Sequence, residues 1–98
     1  MAEDRMSDTE FLKLMQFYCT ALANKLNLNI VMEPRGGQVV VFHLHDRMRN
    51  LNWDYIYSKD VYYLQMLRER GPFGEMYSII TDRWLRIAQD AAMAAQRR

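Results

Sequence analysis

The chain has 98 residues, of which 50% are hydrophobic and 26% are charged, and its formal net charge is +1. This length leaves room for one domain, which we assign to 1–98, with a disordered start over 1–6. The composition excludes an intrinsically disordered chain, which needs few hydrophobic residues and a high net charge. The small net charge excludes a strong global field that would attract nucleic acid or a membrane.

Cysteine content and hydropathy bear on the cellular compartment. Cys19 is the one cysteine, so an intrachain disulfide and a cysteine-based zinc site are both excluded. The first residues lack the basic and apolar regions of a signal peptide, and no apolar run approaches the ~18 residues of a membrane span. We therefore expect a small soluble cytoplasmic domain without membrane contact, in which Cys19 is a buried and inert thiol.

The first predicted element is a helix over 8–26. Ser7 and Glu10 have the spacing of a capping box, in which each side chain bonds the backbone N–H of the other residue. Apolar side chains then recur at helical spacing at Phe11, Met15, Tyr18, Leu22 and Leu26.

Two or three strands follow this helix. Apolar residues alternate with others over 28–33 and, after the turn Pro34–Gly37, hydrophobic residues return over 38–44, which predicts an antiparallel hairpin. We expect Val40, Phe42, Leu44, Leu28, Ile30 and Met32 to share the face that packs against the first helix. A further alternation over 51–57 predicts a third strand, since an isolated hairpin is marginally stable in water.

Two helices complete the predicted chain. Ser58 is a candidate cap for a helix that begins at Lys59, buries Val61, Leu64 and Leu67, and is stopped by Gly71–Pro72. A long helix is then predicted over 74–98. Its core seam has a 3-4-3-4-3 spacing: Tyr77, Ile80, Trp84, Ile87, Ala91 and Ala94. The predicted fold class is thus α+β, with a helix, an antiparallel hairpin or three-stranded sheet, and two helices (αβββαα).

His43 and His45 are the candidate groups for chemistry. Residues two apart in a strand point to the same side, so both imidazoles can face one ion, with Asp46 as an oxygen ligand or as a partner that orients a ring. The chain has no further histidine and no thiolate pair, whereas zinc sites need three or four protein ligands. We therefore assign no metal, no cofactor and no catalytic residue.

Arginines and aromatic residues lie close together in the middle of the chain. We assign Arg47, Arg49, Trp53, Tyr55 and Tyr57 as partner-binding residues, because Tyr, Trp and Arg dominate protein-binding hot spots. The same residue types form base-stacking surfaces on nucleic acids, although acidic residues such as Asp54 and Asp60 interrupt the positive charge.

The second half of the long helix is apolar on most sides. Besides the core seam it carries an outer row, which we define as Leu85, Ala88, Ala92 and Ala95. A helix that is apolar on most sides is normally covered on more than one side, and a domain of this size has little else to cover it. We therefore assign the outer row as the interface of a homo-oligomer.

These observations favour a small interaction or regulatory protein that binds another macromolecule, with a protein partner and self-association expected. Small accessory proteins of phages and mobile elements are often of this type. Binding to nucleic acid or a nucleotide is the first alternative, and a small hydrolase that uses His43 and His45 is the second. Catalysis ranks last because 98 residues rarely build a pocket within one subunit, although an oligomer can build one between subunits.

Overall fold

The computed structural model describes residues 5–97 and confirms the predicted α+β class and element order. Along the chain, three strands that form one sheet follow an N-terminal helix and precede two C-terminal helices. The elements are α1 (Asp8–Leu26), β1 (Asn29–Pro34), β2 (Val39–Asp46), β3 (Leu51–Ser58), α2 (Lys59–Met66) and α3 (Gly71–Gln96).

Helix α1 has the predicted boundaries because both of its ends are capped. Ser7 Oγ accepts a hydrogen bond from the Glu10 backbone N–H at 3.1 Å, and the Ser7 N–H donates to Glu10 Oε1 at 2.9 Å. The Ser7 bonds lower the pKa of Glu10 because they favour its charged form. At the other end Asn27 adopts the left-handed conformation (φ 54°) that commonly terminates helices.

The sheet is antiparallel with strand order β1-β2-β3, so β2 is its central strand. Phe42 pairs with Met32 on β1 and with Tyr55 on β3, and the neighbouring pairs follow the same alternation. One face of the sheet, which we call the covered face, packs against all three helices. The predicted register is confirmed, since Val40, Phe42 and Leu44 are fully buried there and Leu28, Ile30 and Met32 pack beside them.

The core lies between the covered face and the helices. The buried residues that the helices contribute recur at helical spacing on α1 and α3: Phe11, Met15, Cys19, Leu22, Met76, Ile80 and Trp84. The Cys19 thiol donates to the Ile30 carbonyl oxygen at 3.4 Å, and burial raises its pKa, so the thiol is held in its protonated form.

The prediction for the buried face of α2 was wrong for Leu64 and Leu67, whereas Val61 is half-buried and packs against the core. Leu64 and Leu67 are 62% and 86% exposed, and α2 instead buries Lys59, Tyr62 and Gln65. The reason is a set of contacts that α2 makes with other elements. Lys59 Nζ donates to Asp8 Oδ1 at 3.0 Å, Gln65 Oε1 accepts from the Tyr57 hydroxyl at 2.7 Å, and the Tyr62 ring packs edge-on against Phe11.

Gly71 and Pro72 also differ from their predicted role, because they begin α3 rather than end α2. Helix α2 ends at Met66, and a turn over 67–70 leads into α3. Proline is favoured in the first turn of a helix, where its missing N–H is not needed. The long helix therefore starts three residues earlier than predicted, at Gly71 instead of Gly74.

Residues 1–4 of the predicted disordered start lie outside the described residues, whereas the Met6 N–H donates to the Tyr63 hydroxyl at 2.6 Å. The molecule measures 57 × 26 × 20 Å, and α3 is its longest element. None of the helices between residues 5 and 97 is long and apolar enough to cross a membrane.

Candidate functional site

The predicted partner-binding residues fall into two separate groups. Trp53, Tyr55 and Tyr57 follow one another along β3 on the covered face, with ring centroids 5.6 and 6.0 Å apart. Tyr57 is fully buried and donates its hydroxyl proton to Gln65, while Trp53 and Tyr55 are half-buried beside the core. Their packing against the helices follows from the alternation of β3, which directs every second side chain to one face.

One cation lies beside the aromatic group, and it comes from α3. The guanidinium carbon of Arg83, on α3, lies 6.0 Å from the centre of the Trp53 ring, within the range of a cation–π contact. Burial raises the pKa of Tyr57, and it raises the pKa of the nearby Tyr18 to about 12. These hydroxyls therefore stay protonated at neutral pH.

Arg47 and Arg49 lie in the exposed turn between β2 and β3. Arg49 Nε donates to Asp46 Oδ2 at 2.8 Å, and the same carboxylate accepts from the Met48 N–H at 3.0 Å. These bonds, that of Arg49 first, lower the pKa of Asp46. Asp46 thus closes the turn and does not orient either histidine.

An open cleft of about 590 Å³ separates this turn from the end of α1. Asn27, Asn29 and His45 contribute polar groups to it, and Arg47 and Arg49 also line it. Because the C-terminus of α1 forms one wall, backbone carbonyl groups there give that wall a partial negative charge.

His43 and His45 both lie on the face of the sheet away from the helices, which we call the open face. Their rings do not meet. His45 Nδ1 is 2.6 Å from Asn52 Oδ1, whereas His43 is held between Glu33 Oε1 (2.7 Å from Nε2) and Asp54 Oδ1 (2.8 Å from Nδ1). Over residues 5–97, no group of three or more His, Cys, Asp or Glu side chains is placed to hold a metal ion.

Glu33 and Asp54 are the residues that sequence reasoning missed around His43. Asp54 stands opposite His43 in the register of β2 and β3, and Glu33 reaches it diagonally from the position opposite Val41. The register and the alternation of side chains along the strands place Glu33, His43 and Asp54 on the same face of the sheet. A register worked out from the sequence would therefore have placed both carboxylates on the face of His43.

The outer row of α3 lies where the helix leaves the body of the domain. Leu85 is 57% exposed, Ala92 and Ala95 are exposed, and Ala88 is half-buried. Of the core seam, Ile80 and Trp84 are buried, Tyr77, Ile87 and Ala91 are half-buried, and Ala94 is exposed. The seam is therefore covered by the domain only along the first half of the helix.

Comparisons of this chain with protein-family models, with curated proteins and with solved structures gave no match, so the function has to be argued from the geometry alone.

Proposed function

We propose that this chain is a small interaction protein that acts by binding another macromolecule, and that it self-associates through the outer row of α3. The observation that carries the proposal is the second half of α3, which is largely apolar and mostly exposed. We name residues 71–84 of this helix the root and residues 85–96 the arm.

The root and the arm differ in what covers them. The three buried side chains of α3, those of Met76, Ile80 and Trp84, all belong to the root. Every residue from Ala92 to Arg97 is exposed. Helices in proteins gain most of their stability from packing of an apolar face, and a solitary helix of fewer than ~12 residues is marginal in water. An apolar arm of this kind is therefore typical of a helix that packs against a partner.

The spacing of the outer row suits a second copy of the same chain. Its members are symmetric about position 90, so in an antiparallel two-fold pair Leu85 faces Ala95 of the other copy and Ala88 faces Ala92. The large side chain then meets a small one at each end, and the alanines allow the two helices to approach closely. Closed two-fold pairing is the commonest arrangement of soluble homo-oligomers.

The charges of the arm lie away from this row. Asp90 and Arg86 are each two residues from Ala88. Measured in one direction around the helix at about 100° per residue, Asp90 lies about 200° and Arg86 about 160° from Ala88, so both lie on the opposite side of the helix. Neither charge is brought to the centre of the proposed pair, so pairing does not bury an unpaired charge.

Sedimentation velocity at micromolar concentration tests this proposal. We expect the wild type to sediment as a dimer, and the double substitution Ala92→Glu, Ala95→Glu to give a folded monomer. Arg86→Glu is the matched control, because it also changes the net charge by two units but lies on the other side of the arm. The proposal would be contradicted if the wild type sediments as a monomer whose sedimentation coefficient does not change on dilution. It would also be contradicted if Arg86→Glu dissociates the dimer as fully as the double substitution does.

Binding to nucleic acid or a nucleotide is the second candidate function. It is favoured by the open cleft beside Arg47 and Arg49, which is wide enough for a small ligand. Asp46 already neutralises Arg49, so we expect weak binding at most. Fluorescence anisotropy with a labelled single-stranded RNA, repeated at rising salt concentration, would detect phosphate contacts as a steep loss of affinity. Loss of that binding in Arg47→Ala would favour this candidate over the first.

The proposed site of action is the cytoplasm. Cys19 is buried and free, and the chain has no second cysteine with which it could form an intrachain disulfide, which supports a reducing compartment.

A further inference from the structure

A chain of three side chains crosses the whole open face. His43 lies near the middle of β2, Glu33 reaches it from β1, and Asp54 reaches it from β3. The two nitrogen-to-oxygen distances are 2.7 Å to Glu33 Oε1 and 2.8 Å to Asp54 Oδ1. We call this arrangement the Glu33–His43–Asp54 bridge. It joins both edge strands to the central strand through side chains alone.

The bridge needs a proton on each ring nitrogen. An ionised carboxylate only accepts hydrogen bonds, and a neutral imidazole has a single N–H. Both bonds therefore form only when His43 is an imidazolium. The bonds to Glu33 and then Asp54 raise the pKa of His43, and the bond to His43 is the main cause that lowers the pKa of Glu33.

Few other charged groups share this side of the sheet. Arg35, in the turn that follows β1, places its Nη2 atom 3.6 Å from Glu33 Oε1. On β2 itself His45 lies two residues from His43, and its Nδ1 faces Asn52. Asp54 is the charged group that β3 contributes. The helices pack on the covered face, so the described parts of α1, α2 and α3 place no charge against His43.

Val41 is buried on this face although no helix covers it. It is 1% exposed, whereas Ile56, its cross-strand partner on β3, is 66% exposed, and Val31 is 63% exposed. The neighbours of Val41 on this face are Val39 and His43 along β2, and Glu33 and Ile56 across it. Two of these four side chains belong to the bridge, so the bridge is part of what excludes water from Val41.

We propose that the Glu33–His43–Asp54 bridge is a proton-dependent cover of Val41. While His43 is protonated, the bridge holds the three strands together and screens Val41. When His43 loses its proton, the ring retains one N–H and must release one carboxylate. Glu33 is the carboxylate with a second partner, Arg35. Its departure joins Val41 to the exposed Val31 and Ile56 in one apolar surface.

The direction of the pH dependence follows from the two shifted groups. The pKa of His43 is raised, so its contribution to stability is complete below the ordinary value of 6.5 and is lost as the pH rises through the raised value. The pKa of Glu33 is lowered, so its contribution is complete above the ordinary value of 4.5 and is lost as the pH falls through the lowered value. The closed bridge is therefore most stable between these two ordinary values.

Nuclear magnetic resonance tests the proposal on the full chain. Ring signals of both histidines are titrated, and the methyl signals of Val41 are followed with a soluble paramagnetic probe at about pH 5.5 and about pH 8.5, on either side of the ordinary histidine pKa of ~6.5. We expect the pKa of His43 to exceed the ordinary histidine value of ~6.5. We expect the probe to broaden the Val41 methyl signals more at the higher pH, with a midpoint at the pKa of His43.

Three variants complete this test. Glu33→Gln and Asp54→Asn should each shift the pKa of His43 downward. Glu33→Gln should also abolish the pH dependence of the Val41 broadening, because a glutamine amide can hydrogen-bond both the charged and the neutral ring. His45→Gln is the matched control and should leave the titration of His43 and the broadening of Val41 unchanged. A pKa of His43 in the wild type that is no higher than the ordinary value of ~6.5, or wild-type broadening of Val41 that is the same at both pH values, would overturn the proposal.

Discussion

The two faces of the sheet are built from the same three strands but are stabilised in different ways. On the covered face, Phe42 lies between Met32 and Tyr55 under the helices, and apolar contacts exclude water completely. On the open face, the neighbouring position Val41 is equally buried, yet the side chains around it belong to the sheet itself. Adjacent residues of β2 thus reach the same burial by tertiary packing on one side and by cross-strand side chains on the other.

This difference predicts unequal responses to mutation and to pH. Helices cover a large, rigid area, so a truncated side chain on the covered face leaves a cavity that cannot easily collapse. On the open face, the side chains around a truncated residue have water on their outer side. They can therefore move into the space that the substitution leaves. We therefore expect substitutions to cost more on the covered face at equal burial.

Phe42→Ala should give the largest effect. Phe42 is fully buried at the centre of the covered face, and removal of its ring costs about 3–5 kcal/mol in comparable cores. We expect this loss in the free energy of unfolding, measured by urea denaturation followed by circular dichroism. A loss no greater than that of Val41→Ala would break the proposed distinction between the faces.

Tyr57→Phe tests the polar contact within the covered face. The Tyr57 hydroxyl donates to Gln65 Oε1, and both side chains are buried, so the substitution leaves the amide oxygen of Gln65 without this donor. An unsatisfied buried acceptor costs about 1–3 kcal/mol. The same denaturation measurement should detect it. The double variant Tyr57→Phe, Gln65→Leu should recover part of the loss, and no recovery would argue against the hydrogen bond as the cause.

Val41→Ala tests the open face directly. The substitution removes two buried methyl groups, worth about 1.5 kcal/mol at ~0.8 kcal/mol for each buried CH₂-sized group. We expect a loss of about this size near pH 5.5, where the bridge is closed, and a smaller loss near pH 8.5. Equal losses at the two pH values would show that the cover of Val41 does not depend on His43.

Ile56→Thr should give the smallest effect. Ile56 is paired with Val41 on the same face but is largely exposed, and exposed substitutions usually change stability by less than about 0.5 kcal/mol. Threonine keeps the branched β-carbon that strands favour. A loss larger than that of Val41→Ala would indicate that a further partner covers the open face in solution.

Much of the fold was predictable from local patterns. The capping box at Ser7 and Glu10 defines the start of α1, and the turn at 34–37 together with the alternation of β2 defines which face is covered. These features are local: caps, turns and alternation involve residues close in sequence, so the sequence displays them directly. The covered positions of β3 follow from the same alternation.

The errors in α2 have the opposite cause. Local periodicity favoured Leu64 and Leu67 for the core, but the buried face is set by Lys59 with Asp8 and by Gln65 with Tyr57. Each of these polar pairs joins separate elements, and the Lys59–Asp8 pair links residues 51 apart. An eight-residue helix contains too few turns for its apolar pattern to outweigh such contacts.

The sequence by itself determined the order of the elements, the residues of the hairpin that face the first helix and the apolar character of α3, because each depends on the spacing of neighbouring residues. Only the tertiary structure decided which aromatic residues are available at the surface. It placed Tyr57 in the core, separated Arg47 and Arg49 from the aromatic group, and brought Glu33 and Asp54 to His43. Those outcomes depend on which strands pair and which face the helices cover, and both are set by contacts between residues that are distant along the chain.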